Sequence, residues 1–220
     1  MDIISRFKEN SNLDNAKYMK AYMKNNFEYL GIKTPLRKEL EKELLKEKSK
    51  EPLIDKNFVK ELWNYEYREL QYVAIDYLIK QKKKIQKEDI TFIKGLIITK
   101  SWWDSIDLIA SHIVGELCKK YPELVDEYIL SWCADENMWL RRTAILYQLK
   151  YKADTDTTIL EKVIKDNIND GEFFIRKAIG WALREYSKTN KEWVSEFVAN
   201  NRLSKLSEKE ASKYLQIRNR

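Results

Sequence analysis

Apolar residues recur every three or four positions from one end of the chain to the other, the spacing that places them on one face of an α-helix. Leu36, Leu40 and Leu44 fall at i, i+4 and i+8 behind Thr34-Pro35, with Thr placed to cap a helix and Pro to fill its first position. Leu70, Val73, Ala74, Tyr77 and Leu78 make a second stripe. Ile106, Ile109, Ala110, Ile113, Val114 and Leu117 make a third, and Leu124, Val125, Tyr128, Ile129 and Trp132 a fourth. No segment alternates apolar and polar residues for long enough to make a strand. About twelve helices of roughly 10–18 residues are expected, joined by short connections such as Ser101, Tyr121-Pro122 and Asn169-Asp170-Gly171.

The stripes also repeat. A small residue sits mid-helix at Ala74, Ala110, Ala144 and Ala178, spaced 36, 34 and 34 residues apart. Three of these continue alike, as Ala74-Ile-Asp-Tyr77, Ala144-Ile-Leu-Tyr147 and Ala178-Ile-Gly-Trp181. A recurrence near 35 residues is the size of a two-helix repeat, and a small residue at a fixed place lets neighbouring helices approach closely. The expected fold class is all-α: an α-solenoid of HEAT-like helix pairs, a single domain over residues 1–220, with one concave face suited to something long.

Composition narrows the classes further. The chain has 220 residues with only 5 Gly and 3 Pro, too few to punctuate a β-sandwich or a doubly wound sheet, while 7 Trp, 13 Tyr and 7 Phe supply ample core. The amino terminus has no apolar signal segment, no stretch is long enough to span a bilayer, and Cys118 and Cys133 are isolated. A reduced, intracellular, monomeric protein is expected. With His112 as its single histidine and no Gly-rich phosphate loop, the chain gives no sign of a metal or nucleotide cofactor. The formal net charge of +6 leans towards a polyanionic partner. Lys33, Arg37, Lys38 and Lys82-Lys83-Lys84 contribute to it, although a charge run is usually a solvated face.

Two helices break their own amphipathic rule. Opposite the stripe Ile175, Ala178, Ile179, Ala182 and Leu183 runs a second line of Lys177, Gly180, Trp181 and Arg184. A Trp beside a Gly and between two cations suits contact with an anionic, ring-bearing ligand; packing against the next repeat is the plainer alternative. In the helix opening at Ser101 the core stripe starts at Ile106. Trp103 and Asp107 therefore share a separate line, one turn apart, presenting an aromatic wall and a carboxylate together. Trp102 reads as core and Asp104 as a first-turn dipole partner. The alternative for Asp107 is a simple ion pair with Arg142 or Arg184. Periodicity does not say which of Arg141 and Arg142 faces the groove.

These residues also carry a resemblance. Lys100-Ser-Trp-Trp-Asp-Ser-Ile-Asp107, Trp139-Leu-Arg-Arg-Thr-Ala-Ile-Leu146 and Phe173-Phe-Ile-Arg-Lys-Ala-Ile-Gly-Trp-Ala-Leu-Arg-Glu-Tyr186 resemble signature segments of the AlkD family. Tyr22-Met-Lys-Asn-Asn-Phe27 and Gly31-Ile-Lys-Thr-Pro35 do so as well, and the likeness runs from about Ala16 to Ser207. AlkD proteins are bacterial DNA glycosylases of HEAT-like repeats that excise alkylated purines. The resemblance implies a catalytic Asp107 flanked by Trp103 and Trp181, with Tyr22 as a third cleft aromatic. It implies that Arg142 and Arg184 grip the backbone near the lesion, with Lys177 beside them. Lys38 stands where the family pattern has Arg, which trades a bidentate phosphate fork for a point charge.

The implied activity is hydrolysis of the N-glycosidic bond of cationic purines, 3-methyladenine and 7-methylguanine, in double-stranded DNA in the bacterial cytoplasm, leaving an abasic site. A single carboxylate fits such substrates, because a purine already cationic leaves as a neutral base without a general acid. The competing reading is a non-catalytic helical-repeat scaffold for nucleic acid or a protein partner. It explains the charge and the aromatics but gives no reason for a carboxylate among them.

Overall fold

The computed structural model describes residues 2–215. Helix follows helix throughout, and the extended pairing among these residues is an isolated parallel bridge between Glu28 and Tyr67. Among the described residues no helix is long and apolar enough to cross a membrane. The chain divides into two compact units, Met1–Ile85 and Gln86–Arg220.

The first unit contains helices Ile3–Glu9, Leu13–Tyr22, Thr34–Lys48, Lys56–Asn64 and Arg68–Lys80. Its core gathers Phe7, Ile32, Val59, Leu62, Leu70, Val73, Ala74 and Leu78, all fully or nearly fully buried. The third helix begins one residue earlier than its sequence signal: Thr34 is already helical, Lys33 occupies the cap without a side-chain bond, and Pro35 follows. Nor does that helix bury the stripe Leu36, Leu40, Leu44. Leu40 and Leu45 are buried together with Arg37 and Glu41, while Leu36 is exposed.

A buried charge pulled the helix round. Arg37 Nη1 donates to Glu41 at 3.0 Å and also to Asp76 on the Arg68–Lys80 helix. Burial pushes the Glu41 carboxyl above its usual value; burial also opposes ionisation of Asp76, but Arg37 and Lys38 outweigh it and hold that carboxyl down. A second buried carboxylate, Glu69, accepts backbone N–H bonds from Leu30, Gly31 and Ile32 at 2.8–3.1 Å and so organises the turn before the third helix. Gly31 is required there, since its φ is +84° and a Cβ would lie 2.0 Å from the Asn12 carbonyl oxygen.

The second unit is a run of helix pairs: Ile90–Ile97 with 103–120, 125–133 with Met138–Leu146, Thr157–Asp166 with Phe173–Tyr186, and Lys191–Asn200 with Lys205–Ala211. The second members pack on one another in order, 103–120 on Met138–Leu146, that helix on Phe173–Tyr186, and that in turn on Lys205–Ala211. Ala110, Ala144 and Ala178, and Ala74 in the first unit, are all fully buried, as their recurrence requires. Solenoid-like helical repeats are thus the architecture. Side chains join positions nearly one repeat length apart: Tyr121 Oη donates to Gln86 Oε1 at 2.8 Å, Tyr151 Oη to the Gly115 carbonyl at 2.6 Å and Asn167 Nδ2 to the Cys133 carbonyl at 3.1 Å. Cys118 and Cys133 are free and buried, and burial raises their thiols to about 12 and about 11.

Arg37→Ala strands Glu41 and Asp76 in the interior, and is expected to cost about 3–5 kcal/mol in a urea unfolding curve. The neighbouring Lys38→Ala, whose side chain is 51% exposed, should cost no more than about 1 kcal/mol.

Candidate active site

The site is assembled by three consecutive repeats. Helix 103–120 starts after an extended Trp102, whose carbonyl accepts from the Ser105 and Ile106 amides. Asp107 lies one turn in, half-buried, and immediately beyond it residues Ile109–Val114 widen into a π-helical turn. Ser111 Oγ donates to the Asp107 carbonyl at 2.6 Å where this widening begins. Such turns often mark functional positions; apolar spacing carried no sign of it, because Ile109, Ala110, Ile113 and Val114 are buried either way.

Arg142, on the next repeat's Met138–Leu146 helix, closes on that carboxylate. Its Nε meets Asp107 Oδ1 at 2.7 Å and its Nη2 meets Oδ2 at 2.9 Å, while Nη1 donates to the Phe174 carbonyl. Arg142 is 4% exposed. This fork uses the planar geometry of Arg, which a lysine could not reproduce. Burial raises the Asp107 carboxyl above its usual value; the Arg142 hydrogen bonds and charge oppose that, and Asp104 adds a smaller upward push. Of the two adjacent arginines, Arg142 is the one that reaches Asp107. Arg141 turns to Asp170 (Nη2 at 3.0 Å) and to the carbonyls of Asp135 and Glu136.

Around the pair stands more aromatic surface than sequence spacing showed. Trp102, taken from spacing as core, is half-buried and lies 5.8 Å from Trp139 and 5.1 Å from Phe174, ring to ring. Trp139 and Phe174 are 5.1 Å apart, and Phe173, 57% exposed, meets Phe174 at 5.4 Å. Trp103 is half-buried at the first turn of the Asp107 helix. The Trp139-Leu-Arg-Arg and Phe173-Phe segments were visible as motifs, but their convergence depends on the register of three repeats.

Trp181 is half-buried and packs against the apolar core of the second unit. The line it belongs to is partly covered by the Lys205–Ala211 helix. Glu210 on that helix receives Lys177 Nζ at 2.7 Å and Arg184 Nη1 at 2.5 Å. A Cβ on Gly180 would lie 2.6 Å from Glu210 Cβ and 2.8 Å from the Ser207 carbonyl oxygen, so the glycine is what admits the covering helix. Both cations expected to face a ligand therefore hold an internal carboxylate, which no local pattern could reveal.

In the first unit Tyr22 is 69% exposed at the end of a helix, Leu13–Tyr22, that buries none of its residues. Lys38 Nζ lies 2.7 Å from Asp76 and 3.4 Å from Glu41, still with half its side chain in solvent.

The sequence profile described as "DNA alkylation repair enzyme" matches residues 3–215. Among solved structures, a protein described as a predicted DNA alkylation repair enzyme from Enterococcus faecalis is 37% identical, covers 93% of this chain and 96% of its own, and superposes with a TM-score of 0.87. Two Streptococcus mutans structures share the fold at lower identity. Smu.31 is 21% identical over 83% of this chain and 96% of its own with a TM-score of 0.62; AlkD2 is 20% identical over 80% and 99%, with a TM-score of 0.59. No curated protein matches the chain. An all-helical repeat fold, a profile matched almost from end to end and a close structural relative agree: the chain belongs to the DNA alkylation repair enzyme family.

Proposed function

We propose that the protein is a monofunctional DNA glycosylase that hydrolyses the N-glycosidic bond of cationic alkylated purines in duplex DNA, acting as a monomer and a single functional domain. The observation that carries this reading is the ionisable Asp107 held in a two-point fork by Arg142, whose guanidinium lies beside the aromatic group of Trp102, Trp139 and Phe174. A 3-methyladenine or 7-methylguanine base departs neutral, so protonation of the leaving group is unnecessary. What remains is to stabilise positive charge developing on the deoxyribose and to admit water. Arg142 opposes the push of burial on the Asp107 carboxylate and fixes its orientation. Each Asp107 oxygen retains a lone pair for the oxocarbenium-like sugar or for a water. Trp103 and Trp181 flank the sugar, whose C–H groups gain positive character towards the transition state.

DNA is held, in this reading, by Lys177 and Arg184 and, in the first unit, by Tyr22 and Lys38, through contacts that position the backbone and carry no sequence information. Arg142 acts on phosphate less directly than its place in the motif implies, because its guanidinium is already committed to Asp107 and to the Phe174 carbonyl. The same fork is what a purely structural tie between repeats would look like. That favours a second reading, a non-catalytic scaffold, and the two part company in their response to mutation.

Asp107→Asn is expected to lower release of 7-methylguanine from methylated duplex by about 10²-fold or more while leaving DNA affinity nearly intact. Base release and abasic sites are the readouts, and full excision by the variant removes the assigned role. If the scaffold reading holds, the parent protein releases no base at all. The pH profile supplies another check. Excision should fall on acidification as Asp107 protonates, with a midpoint above the ordinary aspartate value. Removing Arg142 takes away the groups favouring the charged form, so in Arg142→Gln that limb should move to still higher pH.

A further inference from the structure

Lys177 and Arg184 lie seven residues apart on one line of the Phe173–Tyr186 helix, and a single carboxylate, Glu210, occupies both. It is brought there by a seat built for it. Gly180, between the two cations, leaves room for Glu210 Cβ and the Ser207 backbone, and Ser207 Oγ donates to the Arg176 carbonyl at 2.8 Å to fix the covering helix in register. Ser204 caps that helix through the Ser207 amide. Lys177 above all, then Arg184, holds the Glu210 carboxyl below its usual value, so it is charged at neutral pH. None of the three side chains is sealed off: they are 36%, 23% and 20% exposed for Lys177, Arg184 and Glu210. An oxygen anion bridging two solvent-reachable cations has the chemistry of a phosphate diester in the same place.

We propose that Glu210 is an internal competitor of DNA phosphate for Lys177 and Arg184 and so holds down affinity for undamaged duplex; this rests on the glycosylase reading above. Each undamaged backbone must displace Glu210 before it gains those two contacts. A lesion site makes the same displacement and offsets it with additional interactions at Asp107 and the aromatics, so the competitor lowers affinity for both alike, and undamaged duplex, without those interactions, is the first to be released. Surface ion pairs of this kind are weak enough to exchange with an incoming phosphate, and each phosphate newly neutralised adds about one unit to the salt dependence of binding.

The test is binding of a short undamaged duplex to the full chain, followed by fluorescence anisotropy over a salt series, with excision of methylated DNA by the parent assayed in the same buffer. Glu210→Gln, which keeps the shape and removes the charge, should tighten binding about five-fold at low salt and steepen the slope of log K against log salt by about one. Glu210→Asp, which restores the charge, should return both towards the parent. Replacing Lys177 and Arg184 with Gln in the Glu210→Gln background should abolish the gain. Unchanged or weaker binding by Glu210→Gln, or a gain that survives loss of both cations, overturns the proposal. A parent that excises base while Glu210→Gln leaves affinity unmoved defeats this inference alone. A parent with neither excision nor DNA affinity defeats the glycosylase reading along with it.

Discussion

A charge taken out of water must meet its opposite within hydrogen-bond reach, and in the second unit Asp107 meets it one repeat away. Arg142 follows Asp107 by 35 residues, and the bond between them crosses from one helix pair to the next. This single requirement fixes much else. It sets the rotation of the Met138–Leu146 helix so that Arg142 points inward and Arg141 outward to Asp170. It brings the Phe174 carbonyl to Arg142, and with it the aromatic group of Trp102, Trp139 and Phe174. The neutral bridges from Tyr121 to Gln86, Tyr151 to Gly115 and Asn167 to Cys133 repeat the device at close to the same spacing. Register between repeats is therefore held by polar contacts, while the burial of Ala110, Ala144 and Ala178 allows the close approach.

What could be read from the sequence is what depends on periodicity. The all-helical class, the repeat length and the burial of the Ala positions follow from spacing alone, because a helix face turns with a fixed angle per residue. So does the shared line of Trp103 and Asp107. Periodicity misplaced the inner face of Thr34–Lys48, where an ion pair took the position that Leu36 was expected to fill. Helix spacing treats Arg37 and Glu41 as surface; the arrival of Asp76 from a helix distant in sequence gives the buried Arg37 a second carboxylate partner.

The other surprises have the same origin. Lys177, Gly180, Trp181 and Arg184 look like an open face in sequence because the element that lies across them, Lys205–Ala211, is a separate helix with no local tie to that line. The π-helical turn after Asp107 inserts its extra residue among Ile, Ala and Val positions that are buried under any helical register. Family motifs marked segments that spacing did not, since Trp139-Leu-Arg-Arg and Phe173-Phe carry residues that converge only after three repeats have stacked.

The two cysteines have a bearing on chemistry in which they take no part. Alkylating agents that damage DNA attack soft nucleophiles first, and a thiolate on a protein surface is among the fastest to react. Cys118 lies inside the helix stack, and Cys133 receives the Asn167 amide on its sulfur at 3.1 Å. Both stay protonated and sheltered, so the protein has its thiols out of reach of the electrophiles whose products its family repairs.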